Sequence, residues 1–348
     1  MVNNETRRGG AGHGVVQRLS ARLHDLGLVD SKPLVGLSGG ADSTALAIGM
    51  SEALRGGRLR PRLAHIEHRV RPGAGQDVIT VLSTAQRLAL PLSIRAIPDG
   101  VIASHVGTGP EEAMRRERFL LLARLAAETA CTAVLTAHHA DDQAETVLGH
   151  LIRGSGLSGA AGIRSSTTLS VPWWRSSAPV SALVVIRPLL AERRRDLKAL
   201  VSHLDLTVVD DETNRDVDRT RAALRHRVLP VLEEIHPGAA LALSRFAALA
   251  RAAVDEPLHV PGPPSRDGEF DGRGLTDLPV GAQRLAVRTW VAAGSGLDLT
   301  FERTEAVRRW VAGGGSGSLE IGGGWSIWRS GRTITLHDGN GDRRPITR

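Results

Sequence analysis

KPLVGLSGGADSTALAIGM, Lys32 to Met50, is an apolar run from Pro33 to Leu37 that stops at Ser-Gly-Gly and resumes as small and aliphatic residues after Asp42-Ser43. That order reads as a strand, a glycine turn and a helix. Glycine tolerates positive φ and lets backbone N–H groups approach an anion closely. The N-terminus of the helix adds a partial positive charge, and Ser38 and Ser43 add hydroxyl donors. Asp42 would repel phosphate unless a divalent cation bridges the two. Mg2+ held by one carboxylate and substrate phosphates is the usual arrangement. No Gly-Lys pair occurs in the chain, which excludes the Walker A loop, and SGGADS lacks the glycine spacing of the Rossmann fingerprint. The bland alternative is a plain βα turn with a Ser/Asp cap.

Around this stretch, short apolar runs alternate with longer amphipathic segments. Pro33–Leu37, Arg62–Ile66, Leu92–Ile97 and Thr132–Ala137 read as strands, with helices near 42–55, 76–89, 110–129 and 141–153. Another helix is expected from Val15 to Leu28, where Val16, Leu19, Leu23 and Leu26 share a side. The alternation predicts an α/β fold, a parallel sheet with helices on both faces. Ligands bind such sheets beyond the carboxyl ends of the strands. Three polar segments stand at such ends: Ser38–Ser43, His65–Arg71 and His138–Glu145.

Residues 1–12 are expected to be a disordered lead, 13–215 the main domain, 216–260 a helical linker and 261–348 a smaller, mainly helical C-terminal domain. Residues after Ile163 read as a less regular Ser-, Pro- and Trp-rich stretch. An Arg-rich helix follows over Ala191–Leu204, then a polar loop over Asp210–Arg221 and helices over Thr220–Ile235 and Gly238–Val254. The tail predicts a helix pair near 280–312, a surface loop at Gly313–Ser318 and a hairpin turning at Ser330-Gly331.

The net charge is +7, and lysine occurs only at Lys32 and Lys198, so nearly all the basic residues are Arg. Such a surplus favours polyanion partners, and Arg is the better bidentate phosphate ligand; genome composition bias would give the same skew. A single cysteine, Cys131, allows neither a disulfide framework nor a CxxC pair. No signal peptide and no membrane span are expected, and the compartment is expected to be cytoplasmic.

In LTAHHADDQAETVLGHLIRGSGLSGAAGI, Leu135 to Ile163, His138, Asp141, Asp142 and Glu145 fall at i, i+3, i+4 and i+7, one face of a helix. Such a face could bind an amine or Mg2+, or accept a proton; a solvated helix N-terminus would look the same. SGGADS resembles the pyrophosphate loop of the N-type ATP pyrophosphatases, the PP-loop superfamily. AHHADDQAET followed by RGSGLSGAAG is similar to the tRNA(Ile)-lysidine synthetase family within it. AHIEHRVR (Ala64–Arg71), PEEAMRRERFLLL (Pro110–Leu122), RPLL (Arg187–Leu190) and DETNRDVDRTRAALRHRVLPVLEEIHP (Asp211–Pro237) agree in order. The likeness covers about 32–255 well and the tail loosely, and the short tail suggests a compact form with one C-terminal module. Glu67-His68-Arg69 departs from the family's usual Asp-His-Gly.

The resemblance implies a PP-loop domain and an ATP-dependent ligase. ATP adenylates the C2 oxygen of the wobble cytidine in a CAU-bearing tRNA(Ile), and free L-lysine displaces AMP to give lysidine. It implies that Ser38, Gly39, Gly40, Ala41, Asp42 and Ser43 hold the ATP phosphates, Asp42 with Mg2+, and that His65 and Ile66 border the adenine. Arg115 or Arg116 would contact the α-phosphate or target base. Asp141 and Glu145 would receive the lysine ammonium, with either of them or His138 taking its proton; His139 ranks below His138 as an equally good packing residue. Arg193, Arg194, Arg195, Arg221 and Arg225 are the tRNA-phosphate candidates, and the C-terminal domain is expected to bind tRNA. No oligomeric state follows, a homodimer being one option. Rival readings are a tRNA thiolation ligase, which needs more cysteines than Cys131, an amidotransferase, and a non-catalytic RNA-binding module that would not need the loop's serines and Asp.

Overall fold

A computed structural model describes residues 10–55, 59–68, 74–174, 181–209, 219–255, 270–331 and 333–338. The chain divides into two compact units, Met1–Gly149 with Ile163–Arg245, and His150–Gly162 with Phe246–Arg348.

The first unit begins with α1 (Gly10–Asp25), which starts inside the segment expected to be a disordered lead. Then come β1 (Pro33–Gly36), α2 (Ala41–Arg55), β2 (Arg62–Glu67), α3 (Ala74–Leu88), β3 (Leu92–Ala96), α4 (Pro110–Glu128), β4 (Ala133–Leu135) and α5 (Ala140–Ile152). The sheet order is β3-β2-β1-β4-β6-β5, and α6 (Leu157–Ala160) precedes β5 (Ser166–Val171) and β6 (Ser181–Ile186). All neighbours are parallel except β5, which runs antiparallel to β6 at the edge. The sequence reading left β5 and β6 as irregular. Ser and Thr alternate with Leu169 and Val171 in β5, as suits an edge strand half open to solvent.

Strand residues alternate between two apolar cores, which is why their sequences are continuously apolar. Leu34, Ala64, Val134 and Val185 face α4. Val35, Leu63, Leu135 and Ile186 face α1, α2, α3 and α7 (Arg194–His203). Leu34 and Val35 are fully buried, each worth roughly 1.5–3 kcal/mol. A helical run closes the unit: α8 (Arg219–Ala223), a π-helical segment (Leu224–Val228), α9 (Leu229–Ile235) and the start of α10 (Ala239–Asp255). Leu229 and Ala240 pack there on Ala144 of α5. Residues 210–218, expected to form a polar loop, lie outside the described residues.

The second unit holds β7 (Phe270–Asp271), α11 (Gly272–Thr276), α12 (Val280–Ser295), α13 (Phe301–Ala312) and the strands β8 (Gly317–Gly322), β9 (Trp325–Ser330) and β10 (Thr333–His337). The helix pair and the β9–β10 hairpin match expectation. Beside the helices stands a four-stranded antiparallel sheet, β7-β10-β9-β8, of which β8 begins inside the expected Gly-Ser loop. Trp290, Val307 and Ile327 centre its core. Glu305 accepts from Arg284 Nε at 2.6 Å and from Arg308 at 3.0 Å, and Arg308 and Arg284 hold its carboxyl down at about 2.

Helices α1 and α2 meet where a Cβ on Gly49 would overlap the buried Leu19 side chain. Gly49→Ala gains about 1 kcal/mol of helix propensity but overpacks this contact at a cost of roughly 1–3 kcal/mol. A lower urea midpoint is expected for Gly49→Ala, with Leu19→Ala in the same chain costing less than the sum of the two single changes.

Candidate active site

The carboxyl ends of β1, β2 and β4 open onto a cleft of about 330 Å³. Gly36, Leu37, Ser38, Asp42 and Ser43 line it from β1 and the start of α2, and Ala64, Ile66 and His68 from β2. It lies where β1 separates β2 from β4, the point at which strand order reverses and such sheets bind ligands.

The glycine turn is held from within. Ser43 Oγ donates to the Gly40 carbonyl at 3.0 Å and accepts from Ser38 N at 3.1 Å, and the two serine hydroxyls lie 3.0 Å apart. Gly39 has φ +92°, and its carbonyl accepts from Val209 N at 2.9 Å; a Cβ there would come within 2.9 Å of Val209 Cγ2. Glycine is therefore required twice over, by dihedral and by space. His65 is buried and its Nδ1 lies 2.9 Å from the Leu37 carbonyl. It braces the end of β1 and is not among the residues lining the cleft, whereas Ile66 is.

His139 stands at the head of α5. Its backbone N–H donates to Asp142 Oδ2 at 3.0 Å, and Asp142 N donates to His139 Nδ1 at 3.3 Å. This is a reciprocal capping box with histidine in the place of Ser or Thr. It directs His139 Nε2 to Asp42 Oδ2 at 3.5 Å and to Asp142 Oδ2 at 3.4 Å. Burial opposes a charge on His139, but Asp42, Asp142 and Asp141 together raise its pKa. His138, expected on the helix face, precedes the helix; Thr136 Oγ1 lies 2.9 Å from its Nδ1. Burial foremost, then Arg187, Arg118 and Arg221 against Asp142, lowers it to about 4.

The carboxylates of α5 are taken up by arginines. Asp141 accepts from Arg193 NH2 at 3.0 Å and from Arg194 N at 2.8 Å, capping α7, and burial opposing it is outweighed by these contacts, which lower its pKa. Glu145, 1% exposed, accepts from Arg221 Nε at 2.9 Å and Arg225 Nε at 2.6 Å. Asp142 Oδ1 accepts from both at 3.1 and 3.2 Å. Arg194 Nε lies 3.6 Å from Asp42 Oδ2. Asp42, His138, Arg194, Arg221 and Arg225 thus share the cleft wall, with Asp141 and Glu145 behind the arginines. Arg195 pairs with Asp196 and is 72% exposed; it is not among the lining residues. Arg115 and Arg116 pair with Glu112, and Arg115 lies 5.3 Å from the Trp173 ring centroid. The arginine of α4 that lines the cleft is Arg118, with Glu111 and Leu122. Its spacing was the missed signal: Glu111, Arg118 and Leu122 fall at i, i+7 and i+11, one face of a helix. His139 could have been found from the H-x-x-D capping pattern. Arg69, of the departing Glu67-His68-Arg69, lies outside the described residues.

The PP-loop domain family matches residues 13–232. The tRNA(Ile)-lysidine synthase of Mycobacterium bovis is 36% identical over 301 residues, which are 83% of this chain and 84% of that protein. The chain belongs to the tRNA(Ile)-lysidine synthase family. The Leifsonia xyli member is 33% identical over 318 residues, covering 87% of this chain and 89% of that one. The Thermus thermophilus member is 35% identical over 271 residues, 76% of this chain but 49% of its own length, so the chain spans about half of that relative. The U34-tRNA thiolase of Methanococcus maripaludis superposes with a TM-score of 0.58 at 16% identity, over 74% of this chain and 84% of that one, a likeness of fold. PP-loop membership of the family implies ATP binding. Among the described residues no helix is long and apolar enough to cross a membrane.

The two adjacent histidines differ in a way that titration reads. His138, ordinarily near 6.5, falls to about 4 in the fold. Between those values the unfolded chain binds a proton that the native chain does not, so stability falls as pH drops from 6.5 to 4 and loses nothing further from this group below 4. NMR of the imidazole C–H signals is expected to show His138 neutral down to about pH 4. His138→Gln should flatten the urea-midpoint curve across that window.

Proposed function

We propose that this chain ligates free L-lysine to C2 of the wobble cytidine in a CAU-bearing tRNA(Ile), using ATP and passing through an adenylated cytidine. The observation that carries the reading is the contact of Asp42 with His139, which joins the SGGADS loop to the acidic head of α5 in one cleft. Relatives named tRNA(Ile)-lysidine synthase support it, two of them matched along most of their length.

In the first step the C2 oxygen attacks the α-phosphate and pyrophosphate leaves. Ser38, Ser43 and the N–H groups of Gly39 to Ser43 would hold the phosphates at the start of α2, with Ile66 beside the base. Donors fixed in advance stabilise the charge that develops on the leaving group. Asp42 Oδ1 is buried without a hydrogen-bond partner, which fits Mg2+, an ion bound by one carboxylate and substrate phosphates. Mg2+ would neutralise the phosphates there. His139 is a positioning residue, aiming the Asp42 carboxylate into the cleft.

In the second step the lysine amine attacks C2 and AMP leaves. Only the free amine attacks, so the ammonium must lose a proton. His138, lowered to about 4, and Asp141, lowered by its arginine contacts, are both weak proton acceptors; the carboxylates of α5 serve instead to receive the ammonium. Asp142 and Glu145 are covered by Arg221 and Arg225, and Asp141 by Arg193, so the incoming ammonium must replace a guanidinium. Arg221, 46% exposed, can leave more cheaply than Arg225, 19% exposed. On this reading Arg221 yields to lysine and turns to tRNA phosphate. Sulfur transfer is disfavoured because Cys131, the single cysteine, precedes β4, at the opposite end of that strand from His138.

Incubation with CAU-bearing tRNA(Ile), ATP and labelled lysine tests the reading: label should enter the tRNA with AMP released. Asp42→Asn should lower AMP release by at least about 100-fold with tRNA binding largely intact. Arg221→Ala should change the KM for lysine, whereas Arg225→Ala should lower the urea midpoint by leaving Glu145 buried and half-paired. Entry of labelled sulfur or ammonia in place of lysine would overturn the assignment.

A further inference from the structure

Two arginines, Arg118 on the cleft wall and Arg187 at the end of β6 but not among the lining residues, have no use in the scheme above. Arg118 lines the cleft, and among the described residues it makes no hydrogen bond; its guanidinium lies 5.5 Å from the Phe119 ring centroid. Arg187 is 8% exposed. Its NH1 donates to the Arg164 carbonyl at 2.9 Å and Thr167 Oγ1 at 3.1 Å, while its Nε is buried without a partner. No carboxylate pairs with it among the described residues. A buried guanidinium without a carboxylate is costly. Here burial and the nearby Arg115 lower the pKa of both Arg118 and Arg187, with only Glu111 acting the other way on Arg118. A fold that concentrates cations in this way, short of counter-ions, is suited to an anion that arrives with a substrate.

Position separates this group from the loop. Arg187 follows directly on β6, and β6 lies two strands from β1 in the order β1-β4-β6. Neighbouring strands are about 4.8 Å apart, so Arg187 stands roughly 9–10 Å across the sheet from the strand that carries the loop. The Thr136 N–H donates to the Ile186 carbonyl at 3.0 Å, which sets Arg187 beside the strand end that leads to His138. Arg115, on the same helix as Arg118, is half-exposed and lies over both Phe119 and Trp173.

We propose that Arg118 and Arg187 form a second phosphate site, which takes a phosphodiester group of the RNA strand flanking the target base. It rests on the RNA-ligase reading for its substrate and adds the residues that hold the strand once the base is turned into the cleft. A base contact alone would leave the backbone free to move; a phosphate contact fixes register without reading sequence.

The same cations could instead meet a nucleotide phosphate, so the test has two arms on the full chain. Equilibrium binding of CAU-bearing tRNA(Ile) is measured across a salt series, and ATP binding is measured without tRNA. Arg118→Gln should weaken tRNA binding by about tenfold and make the slope of log K against log salt shallower by about 0.7–1, as one lost phosphate contact requires. Arg118→Lys should restore most of the slope, and ATP affinity should stay within about twofold. Arg187→Gln should act in the same direction, with Arg187→Lys separating charge from the hydrogen bonds to Arg164 and Thr167. An unchanged tRNA slope in both Gln variants overturns the proposal, and so does a loss confined to ATP. Lysine incorporation by the unmodified chain is read separately, so failure of this site and failure of the ligase reading give different results.

Discussion

The carboxylates at the head of α5 impose the constraint on which this unit is organised. Asp141, Asp142 and Glu145 lie within two turns of one helix, and Asp142 and Glu145 are buried. Like charges so placed must be neutralised or the helix could not sit against the sheet. The chain meets the requirement with side chains that come much later in sequence. Arg193 and Arg194 at the start of α7 take Asp141, and Arg221 and Arg225 take Asp142 and Glu145. The ion pairs therefore do for residues 190–228 what apolar burial does for the strands: they fix where those segments lie. Removing one member would leave the other charged and buried, at a cost on the order of 3–5 kcal/mol.

That dependence explains which parts of the protein were legible in its sequence. Each interior strand feeds two cores, so Pro33–Leu37, Arg62–Ile66 and Thr132–Ala137 announce themselves as apolar runs, and the glycine turn follows from Gly39 and the two serines. Edge strand β5 is half-polar, and the apolar run of β6 stood in a stretch whose Ser, Pro and Trp suggested irregular structure. The four-stranded sheet of the second unit was half hidden for a related reason. Its β8 opens with Gly317 and Ser318, whose composition signals a loop while their cross-strand partners, Arg329 and Trp328, make them strand.

Within the site, residue types were easier to read than their directions. The acidic run from Asp141 to Glu145 stood out, but that its partners would be Arg221 and Arg225 depends on a fold in which residues about 80 positions apart meet. Arg115 and Arg118 are one helical turn apart. Both lie over Phe119, and only the packing of α4 distinguishes the one that also lies over Trp173 from the one that lines the cleft. The same holds for His138 and His139, adjacent in sequence and opposite in surroundings.

Those two histidines report the field across the cleft. His139, among Asp42, Asp141 and Asp142, has its pKa raised despite burial, whereas His138 is driven down to about 4 by burial first, with Arg187, Arg118 and Arg221 adding to it against Asp142. Burial acts against a charge on both rings, and the outcomes differ because three carboxylates offset it at His139 and one at His138. A uniformly positive cleft would hold nucleotide and RNA but repel an ammonium, and a uniformly negative one would do the reverse. On the proposed reading the reaction needs both, because a cationic amine must reach a carbon flanked by phosphates. A cleft lined by Asp42 and Asp142 as well as by Arg118, Arg194, Arg221 and Arg225 offers partners for both within one cavity of this size.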